Sequence, residues 1–172
     1  LEGFMNKKKL CKITTIEELK KKLTSNKGLF QFAKQRSKFE GWLKVELINI
    51  LRLKNYDAKP EIDFIDICFE NTAIELKTIN TNYKFKNVEN KHRPITENVN
   101  GIIKDIEDLE KKSFENKFVI FIVFPCEKSN EKWQIHLSKI ESKLSELVLE
   151  EFEFQDKILA IKIPAIIYYG KL

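Results

Sequence analysis

Residues 66–77, DICFENTAIELK, decide the fold that this chain is expected to adopt. Two runs rich in residues of high β-propensity, 62–69 and 73–78, flank the pair Glu70-Asn71. Asn is favoured in two-residue turns, and β-type runs on either side of such a turn are typical of a hairpin. The sequence therefore predicts a β-hairpin that turns at these two residues.

The register of this hairpin brings charged side chains together on one patch of the sheet. With a two-residue turn, Asp66 lies directly opposite Glu75, and strand alternation places Lys77 on the same face as Glu75. Two facing carboxylates repel each other, and desolvating them is costly unless they are paired or bind a metal. A divalent cation is the simplest reason to hold them together. A cross-strand salt bridge on a solvated face is the alternative interpretation.

An acid near the end of one strand, followed by Glu-x-Lys on the next strand, resembles the PD-(D/E)xK nuclease superfamily. In this chain the acid is Asp66, and the Glu-x-Lys element runs from Glu75 to Lys77. The superfamily often adds a glutamate on the preceding helix, and Glu46 fits that place. The resemblance covers residues 38–124, in the order helix–strand–strand–strand–helix–strand.

One departure from the family pattern concerns the first acid. The Pro-Asp pair is absent, and residues 60–63, PEID, offer only a near version of it. Asp63 therefore competes with Asp66 for the metal-binding role. A straight hairpin places Asp63 on the face opposite to Glu75, which favours Asp66, whereas a bulge would reverse that preference. Glu40 is the alternative helix acid.

The resemblance implies roles for each of these residues. Asp66 and Glu75, with the Leu76 carbonyl, would hold Mg²⁺, for which Mn²⁺ is a possible substitute. Glu46 would complete the metal shell or bind a second ion. Lys77 would orient or activate the attacking water and stabilise charge on the phosphate.

The function that the resemblance implies is metal-dependent hydrolysis of DNA phosphodiester bonds. Cutting both strands generally needs two sites related by symmetry, which favours a homodimeric type II restriction enzyme. A Holliday-junction resolvase or a repair nicking nuclease of the same fold is one alternative. A non-catalytic DNA-binding or assembly module, or an unrelated α/β interaction protein, is another.

Length and composition bound the fold class. At 172 residues, with 42% hydrophobic and 33% charged residues, the chain is expected to form one α/β domain over residues 1–172. We expect a mixed central β-sheet flanked by helices with a restriction-endonuclease-like core, and we interpret residues 1–13 as a flexible or tag-derived N-terminus. The net charge of +5 mildly favours a polyanionic partner.

Other features of the sequence concern location and cofactors. The longest apolar run, 118–124, is far too short to span a membrane, and no signal peptide is evident. The three cysteines lack metal-type spacing, which favours reduced thiols in a cytosol, here a prokaryotic cytoplasm. No P-loop or dinucleotide fingerprint is present, so no nucleotide cofactor is expected.

The polar segment 79–94 follows the predicted hairpin and is interpreted either as a DNA-contacting loop or as an ordinary surface loop. Basic side chains bind phosphate, and Asn side chains read adenine edges. His136 is a weaker catalytic candidate, since a packed histidine explains it equally well. The proposed DNA-binding residues are Lys84, Lys86, Lys91, His92 and Arg93.

Periodicity and turn signals predict the remaining elements. Helices are expected over 14–24, over 29–53 in two pieces divided near Ser37, and over 96–112. A buried strand is expected over 118–124. The expected C-terminal elements are a short strand or turn over 133–137, a helix over 140–149, and strands over 152–154 and 158–166, the last broken by Pro164.

Overall fold

Helices and strands alternate along the chain in the computed structural model, which describes residues 15–89 and 94–172. The helices are α1 (residues 15–25), α2 (Lys27–Lys34), α3 (Glu40–Leu53), α4 (Ile95–Glu110) and α5 (Glu131–Glu141). The strands are β1 (Lys59–Ile62), β2 (Ile65–Phe69), β3 (Thr72–Asn80), β4 (Asn116–Phe124), β5 (Glu146–Asp156) and β6 (Ile161–Lys171).

All six strands belong to one mixed sheet in the order β1-β2-β3-β4-β6-β5. Strands β3 and β4 run parallel and are joined through α4, whereas every other neighbouring pair is antiparallel. The predicted α/β class, with a mixed central sheet flanked by helices, is confirmed. Residues 1–14 lie outside the described residues, and the domain bounds stay a prediction.

Strand β4 is the centre of the core because both of its faces are covered. Phe118, Ile120, Ile122 and Phe124 pack into the cluster that includes the apolar faces of α1, α2 and α3. Val119, Phe121 and Val123 pack into a second cluster with α4 and α5. This continuous apolar strand is buried on both sides, as predicted for residues 118–124.

The predicted hairpin forms with the predicted turn. Phe69 pairs with Thr72 and Ile67 pairs with Ile74, so the turn consists of the two residues Glu70-Asn71. Beyond the Ile67–Ile74 pair, the backbone N–H of Leu76 donates to the side chain of Asp66. Here the Asp66 side chain, and not the β2 backbone, accepts the N–H of a β3 residue. We call this position the fork.

Strand β1 was missed by the sequence patterns. Residues 62–69 were expected to form a single strand, but β1 and β2 form a hairpin around Asp63-Phe64. Both turn residues have positive φ, 52° and 65°. Such turns normally contain Gly or Asn, and this one has neither, so the usual signal was absent.

The prediction for the region after β4 was wrong. Residues 131–141 form α5, and residues 146–156 form β5, where a short strand or turn and then a helix were expected. The Asn130 side chain caps α5 by accepting from Trp133 N at 3.0 Å. Trp133, Leu137 and Ile140 are buried at helical spacing, and this spacing outweighs the β-propensity of the segment.

Pro164 does not break the last strand, contrary to prediction. It lies beyond the final β4–β6 pair, Val123–Ile166, so its missing N–H costs no bond to β4. Its carbonyl accepts from Cys126 N at 2.9 Å, and β6 continues through it. Within the described residues, no helix combines the length and apolarity needed to cross a membrane.

Candidate active site at the fork of the sheet

Four elements bring six charged side chains together around the fork. Leu43 and Leu47 are fully buried, which fixes α3 on the core. Strands β2 and β3 and helix α4 supply the remaining members. We call this set the charged cluster: Glu40 and Lys44 of α3, Asp66 of β2, Glu75 and Lys77 of β3, and Asp105 of α4.

Asp66 is held at the fork by two different partners. Its Oδ2 accepts from the backbone N–H of Leu76 at 2.8 Å, and its Oδ1 lies 2.7 Å from Lys44 Nζ. Lys44 also pairs with Glu61 of β1. Burial lowers the pKa of Lys44, but the hydrogen bonds and charges of these two acids raise it above its ordinary value. The carboxylate thus links the edge of β3 to α3.

Glu75 lies against Asp66, as the hairpin register predicts. Burial, then the negative charge of Asp66 and a hydrogen bond with it, raise the pKa of Glu75 to about 8. The charge of Lys77 acts in the opposite direction but is the weakest of these influences. In the absence of a metal ion, Glu75 is therefore mainly protonated at neutral pH.

Lys77 points from β3 towards α4. Its Nζ lies 2.7 Å from Asp105 Oδ2, and about a quarter of each side chain is exposed. Burial lowers the pKa of Lys77, but the hydrogen bond with Asp105 and the charges of Asp105, Glu40 and Asp66 raise it. The ammonium group is a fixed positive charge, suited to electrostatic stabilisation and not to general-base catalysis.

Glu40 holds a second backbone group on the same edge of β3. Its Oε1 accepts from Thr78 N at 3.0 Å and lies 3.8 Å from Lys38 Nζ. The N–H and C=O of one strand residue point to the same side. The Leu76 carbonyl therefore faces the fork, as expected of a backbone metal ligand.

Two predicted residues do not join the charged cluster. Glu46 lies about 160° around α3 from Lys44, and its carboxylate is 3.5 Å from Lys22 Nζ of α1. Asp63 is exposed in the β1–β2 turn, where its carbonyl accepts from Lys112. Glu40, the alternative helix acid, occupies the place that was assigned to Glu46.

Comparisons of the chain with known proteins found no match. No protein-family model, no curated protein and no solved structure matched the chain. Function is therefore inferred from the residues of this chain alone.

The proposed DNA-contacting loop begins where β3 ends. Lys84 and Lys86 are exposed on it, while Lys91, His92 and Arg93 lie outside the described residues. His136 is half-buried on α5, which supplies no member of the charged cluster, and burial followed by the charge of Lys139 lowers its pKa.

A buried arginine fixes this loop. Arg36, with 1% of its surface exposed, donates to the backbone carbonyls of Thr81, Tyr83 and Glu89. Burial lowers the pKa of its guanidinium group. These carbonyls accept from the buried guanidinium N–H groups. The loop is therefore tied to the turn between α2 and α3.

Sequence reasoning missed Lys44 and Asp105. Asp105 lies between the core positions Ile102 and Ile106 of α4, so an acid beside an apolar stripe was the available signal. Lys44 offered a weaker signal, since it follows Glu40 by one helical turn. Both contacts depend on how the helices dock against the sheet.

The charged cluster suits a divalent cation. Its four carboxylates face two ammonium groups, which leaves an excess of two negative charges when all are ionised. Over residues 15–89 and 94–172, no three or more His, Cys, Asp or Glu side chains already converge in a ligand set. Asp66, Glu75 and the Leu76 carbonyl fit an ion such as Mg²⁺, which keeps several water ligands.

Proposed function

We propose that this protein is a Mg²⁺-dependent endonuclease that hydrolyses phosphodiester bonds in DNA. The observation that carries the proposal is the pair Asp66 and Glu75, held in contact at the fork with Lys77 beside them. Burial and the negative charge of Asp66 raise the pKa of Glu75, so a bound cation would relieve the repulsion between the two ionised carboxylates. A cross-strand salt bridge does not explain Glu75, because Lys77 pairs with Asp105 and Lys44 pairs with Asp66.

The order of the elements supports a restriction-endonuclease-like core. Helix α3, strands β1 to β3, helix α4 and strand β4 follow the order helix–strand–strand–strand–helix–strand. Asp66 lies on the second of these strands, and Glu75 and Lys77 lie on the third. Placement of the motif within this order supports the proposal more strongly than Glu-x-Lys alone.

In the proposed reaction, Asp66, Glu75 and the Leu76 carbonyl would hold the metal ion. When bound, Mg²⁺ lowers the pKa of a water molecule and neutralises charge on the phosphate. Lys77 orients the attacking water and stabilises negative charge that develops on the phosphate oxygens. Asp105 fixes the ammonium group of Lys77, and Glu40 holds the β3 edge through Thr78.

We further propose that the enzyme is a type II restriction-type homodimer with DNA as its substrate. Each chain carries one charged cluster, so two copies would be needed to cut both strands in one binding event. Lys84 and Lys86 are exposed on the loop after β3, where they can contact backbone phosphates.

The test is cleavage of supercoiled plasmid and unmethylated genomic DNA with Mg²⁺, Mn²⁺ or EDTA. Asp66→Asn keeps an acceptor for Leu76 N–H while removing the charge, and Glu75→Gln and Lys77→Met complete the set. Glu46→Gln is the matched control, because Glu46 lies outside the charged cluster. We expect discrete fragments that vanish with EDTA and with the three site variants but persist in the control.

Different products separate the related functions. Nicked plasmid without linear product would indicate a nicking enzyme, and cleavage confined to branched DNA would indicate a resolvase. Cleavage that persists in Asp66→Asn and Glu75→Gln, or no cleavage of any DNA, would refute the proposal. Salt-dependent binding without cleavage would instead support a DNA-binding module.

A further inference from the structure

Lys44 occupies a position that the nuclease motif does not assign. Its ammonium group lies 2.7 Å from Asp66 Oδ1, and its side chain is only 18% exposed. The other oxygen of Asp66 is already bonded to Leu76 N. Lys44 therefore contacts the one Asp66 oxygen that the backbone leaves free for a metal ion.

Lys44 is not needed to hold Asp66 in place. The bond from Leu76 N–H fixes the carboxylate at the fork, and the side chain is only 22% exposed. What Lys44 adds is a positive charge at a site with an excess of negative charge. A cation within hydrogen-bonding distance of a carboxylate weakens the binding of a second cation through repulsion and through occupation of the oxygen.

Glu61 gives this lysine a second acceptor. It pairs with Lys44 from β1, its side chain is 65% exposed, and its backbone has a positive φ of 56°. When an ion binds Asp66, the ammonium group can stay on Glu61 without losing all of its charge compensation. The ammonium group contacts both acids at once, so Glu61 remains its partner if an ion takes Asp66.

We infer that Lys44 is a built-in counter-ion of Asp66 that competes with the metal ion for this carboxylate. The inference rests on the proposed function, since it assigns Lys44 a part in metal binding at the same site. Lys44 neutralises Asp66 when the metal is absent and is displaced towards Glu61 when the metal binds. Removing its charge while keeping its aliphatic stem should therefore tighten metal binding.

The test measures Mn²⁺ binding to the DNA-free protein by titration calorimetry and by water-proton relaxation. Lys44→Met should bind Mn²⁺ about tenfold more tightly than the wild type, as expected for the loss of one close ion pair. Lys44→Arg keeps the charge and should stay close to the wild type. Lys38→Met is the matched control, because it removes a positive charge 3.8 Å from Glu40 without contacting Asp66.

The response of stability to Mn²⁺ provides a second readout that a merely structural role would not produce. In EDTA, Lys44→Met should unfold at a lower temperature than the wild type, because Asp66 loses its counter-ion. Saturating Mn²⁺ should raise the melting temperature of the variant by more than it raises that of the wild type. The Mn²⁺ affinity and the melting temperature should also be measured for Lys44→Gln, a second neutral variant whose folding is checked by circular dichroism.

The outcomes separate this inference from the proposed function. If the wild type binds Mn²⁺, Asp66→Asn does not, and both neutral variants bind with unchanged or weaker affinity, the competition is refuted and the metal site stands. If Lys38→Met tightens Mn²⁺ binding as much as Lys44→Met, the effect comes from the lower net positive charge and not from the contact with Asp66. The inference then also fails. If neither the wild type nor the neutral variants bind Mn²⁺, both proposals fall.

Discussion

Replacing Glu75 by glutamine is expected to stabilise the metal-free protein, by an amount that grows with pH. Glu75 has a pKa of about 8 in the folded protein against an ordinary value of 4.5. Below pH 4.5 the group is protonated in both states and costs nothing. As the pH rises towards 8, the unfolded chain releases the proton while the folded protein keeps it, so the free energy of unfolding falls.

The size of the effect follows from this difference in pKa. At about 1.4 kcal/mol for each tenfold change in affinity for the proton, the upper limit is about 5 kcal/mol. Glu75 is only half-buried, and water that reaches it reduces the expected value to about 2 kcal/mol. Glutamine does not titrate, so Glu75→Gln should exceed the wild type by about this amount near pH 9 and by little near pH 4.

Urea unfolding in EDTA across this pH range measures the difference directly. Titrating groups remote from Glu75 are common to both proteins and contribute equally to each curve. Glu46→Gln serves as the control, since it removes a half-buried carboxylate outside the charged cluster. A stability difference that is independent of pH, or that favours the wild type at high pH, would refute the explanation given for Glu75.

Substitutions at three further positions test other parts of the structure. Asp105→Asn removes the partner of Lys77, so single-turnover DNA cleavage should slow by about tenfold to a hundredfold while Mn²⁺ affinity changes little; equal rates would contradict the positioning role. Arg36→Met leaves three loop carbonyls without their donor, so urea unfolding should show a loss of about 3 kcal/mol, with weaker DNA binding in a gel-shift assay. Arg36→Lys should recover part of both. Asn130→Ala removes the cap of α5 and should cost about 1 kcal/mol in the same unfolding assay, whereas no loss would mean that the cap is dispensable.

The hairpin could be predicted because its information is local. The turn at Glu70-Asn71 fixes the register, and the register fixes which residue faces Glu75. The facing of Asp66 and Glu75 followed by counting alone. The β1–β2 hairpin could not be predicted in the same way, because Asp63-Phe64 adopts positive φ without the glycine that normally indicates such a turn.

Glu46 lies away from the charged cluster because α3 packs on two sides. Its buried residues face the sheet and α1 together, so the apolar stripe is wider than a single contact would require. Glu46 falls on the α1 side, beside Lys22, and Glu40 falls on the β3 side. The sequence pattern predicts the apolar stripe of α3, but it does not predict which neighbouring element each edge of the stripe faces.

The partners of the two site lysines were equally beyond local reasoning. Lys44 reaches Asp66 across 22 residues, and Lys77 reaches Asp105 across 28 residues. Each contact depends on the docking of a helix against the sheet, which no spacing rule specifies. Charge alone could indicate that the hairpin acids needed compensation, but not which ammonium group would supply it.

The fork also has a consequence for the solubility of the folded chain. The N–H groups of Leu76 and Thr78 lie on a strand edge that β2 no longer covers, and Asp66 and Glu40 are their acceptors. A bare edge of this kind invites another strand to pair with it. The two acids therefore occupy N–H groups with which another strand could otherwise pair, which opposes association through this edge.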